Sequence, residues 1–151
     1  MGEQYVKVRV MREPGMEDLP LPTYKTKGSV GMDLHAAVEK EVVISPGERR
    51  LIPTGIRVAI PEGYEGQVRP RSGLAINYGV GLLNSPGTID SDYRGEIRVV
   101  VVNLGEQPFV IKRGDRIAQL VISPVIKIEW EEVNELPHSE RGEGGFGHTG
   151  I

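Results

Sequence analysis

Short apolar runs rich in valine and isoleucine recur along the chain, and where they alternate with polar residues the period is two, the repeat of a strand and not of a helix. In YVKVRV (5–10), Val6, Val8 and Val10 fall on one face and Lys7 and Arg9 on the other, which predicts a half-buried strand. The same reading gives strands at 41–44, 49–60, 65–70, 96–104, 108–111, 115–122 and 125–133. SPGE, PEG and KRGD stand between them as turns, because proline presets φ and glycine accepts positive φ. Only RSGLAINYG (71–79) offers a helical turn or two, and residues 11–30 read as a long loop. Val99 to Val102 are apolar on both alternating faces, so this strand is expected to be covered twice, by the core and by a neighbouring subunit. So many short strands predict an all-β fold. It is expected to be a jelly-roll-like β-barrel over residues 1–133 with at most one short helix, followed by a flexible glycine-rich C-terminal arm over 134–151.

Composition narrows the function classes. With 18 Lys and Arg against 21 Asp and Glu, the net charge of -3 supplies no chain-wide positive field, so no nucleic acid partner is expected and any anionic ligand must be met locally. The lack of cysteine removes disulfides, thiolate zinc sites and thiol nucleophiles. No apolar run is long enough to span a bilayer, and MGEQYVKVRV lacks the apolar core of a signal peptide, so a cytoplasmic protein without a membrane partner is expected. His35, His138 and His148 show no metal-ligand spacing.

Three stretches carry groups suited to chemistry. RPRSGLA (69–75) gathers two arginines, a hydroxyl and a glycine without a nearby carboxylate, a set suited to phosphate: Arg71 offers a forked donor, Ser72 a hydroxyl and Gly73 an uncrowded backbone N–H. A solvated arginine beside an ordinary turn is the bland alternative. GTIDSDYRGEI (87–97) holds Asp90 and Asp92, which in extended chain point the same way and could orient or deprotonate a water, although Asp, Ser and Gly also simply make turns. RGEGGFGHTG (141–150) contains a formal G-x-G-x-x-G, but no strand and helix frame it as a dinucleotide fold requires. The remaining choices are a frayed tail or an arm that closes on a ligand, Phe146 stacking on a base while Arg141 and Thr149 donate to phosphate. The RGD at 113–115 reads as a hairpin turn.

In order, GSVGMDLHAA, PRSGLA, LLNSPGTIDSDYRGEI, RGDRIAQLVI and RGEGGFGHTG resemble the five motifs of the trimeric dUTPases, from about residue 28 to the end of the chain. The resemblance implies a homotrimer whose three active sites each lie at a subunit junction. One subunit gives the first, second and fourth motifs, its neighbour the third, and the third subunit its C-terminal arm. It implies hydrolysis of dUTP to dUMP and pyrophosphate, with Mg²⁺ held mainly by the triphosphate and by waters. By the same resemblance Asp90 activates the attacking water and Gln119 positions the water or a phosphate. Arg71, Ser72 and Gly73 hold phosphates, and Asp33 supports the metal and phosphate region. Asn84 and Ile89 belong to the hairpin that reads uracil, Tyr93 underlies the deoxyribose, and Arg141, Phe146, Gly147, His148 and Thr149 close over the nucleotide. Met32 and His148 depart from the residues usual at their positions.

Two rival readings differ in chemistry. The related dCTP deaminases, including bifunctional members, carry a glutamate three residues before the position of Asn103, where this chain has Val100, so the acid needed to shuttle a proton is missing. A non-catalytic nucleotide-binding trimer would need neither Asp90 nor a complete arm.

Overall fold

The computed structural model describes residues 4–151, and among them ten strands and one helix follow in order. They are β1 (Arg9–Arg12), β2 (Met32–His35), β3 (Val42–Ile44), β4 (Arg49–Ala59), β5 (Tyr64–Arg69), α1 (Ser72–Tyr78), β6 (Val80–Leu82), β7 (Gly87–Ile89), β8 (Glu96–Asn103), β9 (Phe109–Ile111) and β10 (Arg116–Pro124). One four-stranded sheet runs β1-β4-β8-β6, a second runs β2-β10-β5-β7, and β3 and β9 form a ribbon. Every pairing is antiparallel. The all-β, jelly-roll-like architecture expected from the sequence is the one observed, with one short helix.

Alternation builds the core. Ile52, Val99 and Val101 point inward from the first sheet, Leu34, Val68 and Leu120 from the second, and Ile44 and Ile111 from the ribbon, all within one apolar cluster. Burying each such side chain stabilises the fold by roughly 1.5–3 kcal/mol before ordering costs. The one fully buried amide in this core is satisfied: Asn103 Nδ2 donates to Ile44 O and Gln107 O, both at 2.8 Å, and its Oδ1 accepts from Gly105 N–H at 2.9 Å. The end of β8 is thereby tied to the ribbon. Arg113 pins the long loop, donating to both carboxylate oxygens of Asp18 (2.9 and 2.6 Å) and to Gly15 O (3.1 Å). The RGD turn thus works inside the molecule.

Several expected boundaries move. The first strand begins at Arg9 rather than Tyr5, because β1 pairs with β4 only over Arg9–Arg12. Strands β2, β6 and β7 were not anticipated; each has four residues or fewer. Helix α1 is a full two turns, started after an extended Arg71 and stopped by Gly79, whose φ of 68° lets its N–H reach back to Ala75 O. The expected strand at 125–133 is absent: Val125 N–H bonds Gly63 O at 2.9 Å, and beyond it the alternating Ile126 and Trp130 stand 90% and 87% exposed. In β8, Val99, Val101 and Val102 are buried, whereas Val100 is half-buried on the outward face beside the exposed Leu51 and Leu83. One half of the double covering is therefore present within this chain.

Candidate active site

Sheet register assembles the first group of residues. Gln119 on β10 lies opposite Asp33 on β2 and Arg69 on β5, so the three form a row across the second sheet with their side chains on its outer face. Arg71, two residues beyond the end of β5, brings its Nε to 3.3 Å from Asp33 Oδ1, while Arg116 Nη1 lies 3.5 Å from Oδ2. Arg71 Nη1 also donates to Arg116 O at 3.0 Å. Asp33 is only 6% exposed, and two guanidiniums share its charge. The Arg71 approach is close enough for an ion pair but too oblique for a hydrogen bond, so Oδ1 is a buried acceptor without a donor. Ser72 and Gly73 are exposed at the start of α1 beside this cluster. A Cβ at Gly73 would meet no atom of the chain within 4 Å, so packing alone does not demand glycine there. His35, paired with Arg116 in the ladder, is held below the ordinary histidine value by burial, which outweighs the opposing pull of Asp33; Lys25 and Arg116 act with the burial.

The second group sits on the connection from β6 to β7, which crosses from the first sheet to the second, and on the turn after β7. Asn84, Ile89 and Tyr93 line a cleft of about 530 Å³ together with Gly87, Leu82 and Val100. The connection carries a cis Ser85–Pro86 bond, with Ser85 Oγ donating to Leu82 O at 2.6 Å. Tyr93 is fixed at both ends: its N–H donates to Asp90 O at 3.1 Å and its hydroxyl to Glu96 O at 2.7 Å. Its ring lies so close over Gly95 that a Cβ there would be 2.6 Å from Cζ. The Asp90–Tyr93 hydrogen bond makes this segment a turn, so the extended geometry expected for Asp90 and Asp92 does not hold. Both carboxylates are exposed and border a different depression from the Tyr93 cleft, beside Glu62, Glu65, Arg94 and Lys127.

The third group is the C-terminal stretch. Successive turns bind it to itself: Arg141 Nε donates to Gly144 O at 2.8 Å, Gly144 N–H to Arg141 O at 3.3 Å, and His148 N–H to Gly145 O at 3.1 Å. Arg141, Gly147, His148 and Thr149 border one shallow depression, and the Phe146 ring is wholly exposed. Among the described residues no hydrogen bond or ion pair joins any of the three groups to another. Arg116 and His35 were not anticipated. Arg116 directly follows the RGD turn, and its signal was a cation one strand away from a buried aspartate, which only the β2–β10 register reveals.

Comparison with known proteins shows what the chain is similar to. The sequence model of the dUTPase family matches residues 17–150. A deoxyuridine 5'-triphosphate nucleotidohydrolase of Caldanaerobacter subterraneus subsp. tengcongensis is 57% identical over 146 residues, covering 97% of this chain and 99% of that one. One of Anaplasma marginale is 55% identical over 145 residues, covering 96% and 99%. Among solved structures, the Staphylococcus bacteriophage 80alpha dUTPase with dUPNHPP superposes with a TM-score of 0.85 at 29% identity, covering 96% of this chain and 99% of that one. A mutant dUTPase from phage phi11 of S. aureus, described with a structural Mg(II) ion, superposes with a TM-score of 0.76 at 26% identity, covering 86% and 98%.

Proposed function

We propose, on the premise that this chain belongs to the dUTPase family, that its three separate groups of site residues converge on one nucleotide when three copies assemble. The activity is hydrolysis of dUTP to dUMP and pyrophosphate. The observation that carries the assembly is the separation itself, since among the described residues no hydrogen bond or ion pair joins the phosphate-binding, nucleoside-binding and arm groups to one another. Exposed apolar side chains support it. Leu51, Leu83 and half-buried Val100 cluster on the outer face of the first sheet, and Ile126, Ile128 and Trp130 follow β10 without cover. A homotrimer accounts for both, each site drawing Asp33, Arg71, Ser72, Gly73 and Gln119 from one subunit, Asn84, Ile89, Asp90 and Tyr93 from the next, and residues 134–151 from the third.

In the assembled site Asp90 accepts a proton from the water that attacks the α-phosphorus, and Gln119 orients that water or a phosphate oxygen. The P–O bond to the β-phosphate breaks as the new one forms, and pyrophosphate leaves. Arg71, Ser72 and the Gly73 N–H hold the phosphate oxygens. Asn84 and the backbone of the β6–β7 connection read the uracil edge, and Tyr93 underlies the deoxyribose where a 2′-hydroxyl would collide. The arm then lays Phe146 over the base and brings Arg141, Gly147, His148 and Thr149 to the phosphates, excluding solvent.

Among the described residues no cluster of three or more carboxylates or histidines could hold a metal alone. The residues present suit a Mg²⁺ carried in by the triphosphate, because Oδ1 of Asp33 is an acceptor left without a donor and would be available to the ion's hydration shell. When bound, the ion neutralises phosphate charge. The test is to incubate the protein with each nucleoside triphosphate, with and without Mg²⁺, and identify the products. Mg²⁺-dependent pyrophosphate release is expected from dUTP, with dTTP, UTP and dCTP poorly used; ammonia release from dCTP would overturn the reading.

A further inference from the structure

We propose that Arg69 is a phosphate-binding residue of this site, a cation pre-aimed by Gln67 toward the phosphate chain of the nucleotide; the proposal rests on the dUTPase reading above. Three observations lead there. The register places Arg69 directly beside Gln119 and in line with Asp33, on the same outer face, so it shares the surface to which Arg71 belongs. Only Pro70 separates the two arginines, and a residue before proline is held extended, which keeps Arg69 in the strand.

The second observation is charge. Arg71 and Arg116 share the single negative charge of Asp33, so this cluster is left with one net positive charge toward a ligand. Arg69 enters no ion pair among the described residues. Its charge is uncompensated and doubles the positive charge of the face. A nucleoside triphosphate brings several negative charges, and a guanidinium already stripped of competing carboxylates meets them without first breaking a salt bridge.

The third is orientation. Nε and Nη2 of Arg69 both donate to Gln67 Oε1, at 3.2 and 3.0 Å, from two residues earlier on the same face of β5. A neutral amide holds the fork without neutralising it. Among the described residues Nη1 makes no hydrogen bond, so one edge of the guanidinium is left to a ligand. A salt bridge would have fixed the side chain equally well and consumed the charge.

Two variants of the full chain separate this role from a structural one. Arg69→Gln removes the cation; Gln67→Glu leaves Arg69 in place but sets a carboxylate against it. Both are expected to raise the KM for dUTP by about tenfold and to weaken binding of inorganic pyrophosphate by a similar factor, the size of one lost charge-assisted contact. Inhibition by deoxyuridine, which has no phosphate, should stay unchanged, and Arg69→Lys should recover part of the loss. Normal dUTP and pyrophosphate affinity in either Arg69→Gln or Gln67→Glu would overturn the proposal. So would equal weakening toward deoxyuridine, or a variant that loses affinity only because sedimentation shows its assembly has dissociated. Pyrophosphate binding by calorimetry needs no turnover, so Arg69 is judged by it even if the wild-type protein failed to hydrolyse dUTP, which would sink the dUTPase reading instead.

Discussion

Asp90 is exposed on a turn beside Arg94, but the Arg94 guanidinium donates to Ser91 O and Tyr93 O and not to either aspartate, so the carboxylate is not consumed by a local salt bridge. Asp90→Asn keeps the shape and removes the proposed base. Turnover should fall by roughly 10²–10⁴-fold with nucleotide binding retained, as stopped-flow pyrophosphate release and dUMP titration would show. Gly95 is set by close approach. A methyl there must displace the Tyr93 ring and break its bond to Glu96 O, so Gly95→Ala should lower kcat/KM for dUTP by about tenfold and narrow the preference for dUTP over UTP, measured on both substrates. Asp18 gives a pH signature. Its hydrogen bond from Arg113 holds the carboxyl below its ordinary 3.8, against a smaller effect of burial. A folded value below the unfolded one means that the contribution to stability is complete above pH 3.8 and is lost as the pH falls through the lowered value. Asp18→Asn should therefore lower the melting temperature at pH 7, and the gap from wild type should close as the buffer is taken well below pH 3.8.

At the scale of elements, the C-terminal stretch makes the strongest demand. Among the described residues its hydrogen bonds run to itself, and none of them, nor any ion pair, ties it to the barrel. Truncation before Arg141 should leave the assembled mass unchanged by light scattering while dUTP hydrolysis drops by 10²-fold or so, the scale of a lost closing segment. A truncated enzyme with normal kcat/KM would refute the lid. The elements also show where sequence patterns inform and where they fail. Long strands such as β4 and β8 are legible because eight or more residues rich in valine and isoleucine run without a helical period between turn sequences. MDLH, VGL and GTI are too short to display a period, and β2 hides Asp33 on the outer face of its sheet, where a polar residue suggests solvent. At 125–133 the alternation is genuine but no ladder forms, because a pattern records which face requires cover and not whether the cover lies in the same chain. The site shows the same division. Arg71, Gln119 and Tyr93 are marked by their motifs and Arg69 is one of the two arginines of RPRSGLA, whereas Arg116 is visible only through register, which also sets Arg69 beside Gln119 in one row.

For the molecule as a whole, the proposed trimer has a consequence that neither variant shows alone. If each site takes Arg71 from one subunit and Asp90 from the next, Arg71→Gln subunits and Asp90→Asn subunits carry complementary defects. Homotrimers of either kind have no intact site. Co-expressed at equal levels and mixed at random, about a quarter of the sites pair an intact Arg71 with an intact Asp90 across a junction, so about a quarter of wild-type activity should return. Differently tagged chains purified in tandem would isolate the mixed trimers for assay. A site built within one chain predicts no recovery at any ratio, because every such site would keep one of the two lesions. Among the described residues no hydrogen bond or ion pair joins the Asp33–Arg71–Gln119 face to the Asn84–Tyr93 cleft, so recovery of activity would trace to the surfaces that assembly brings together.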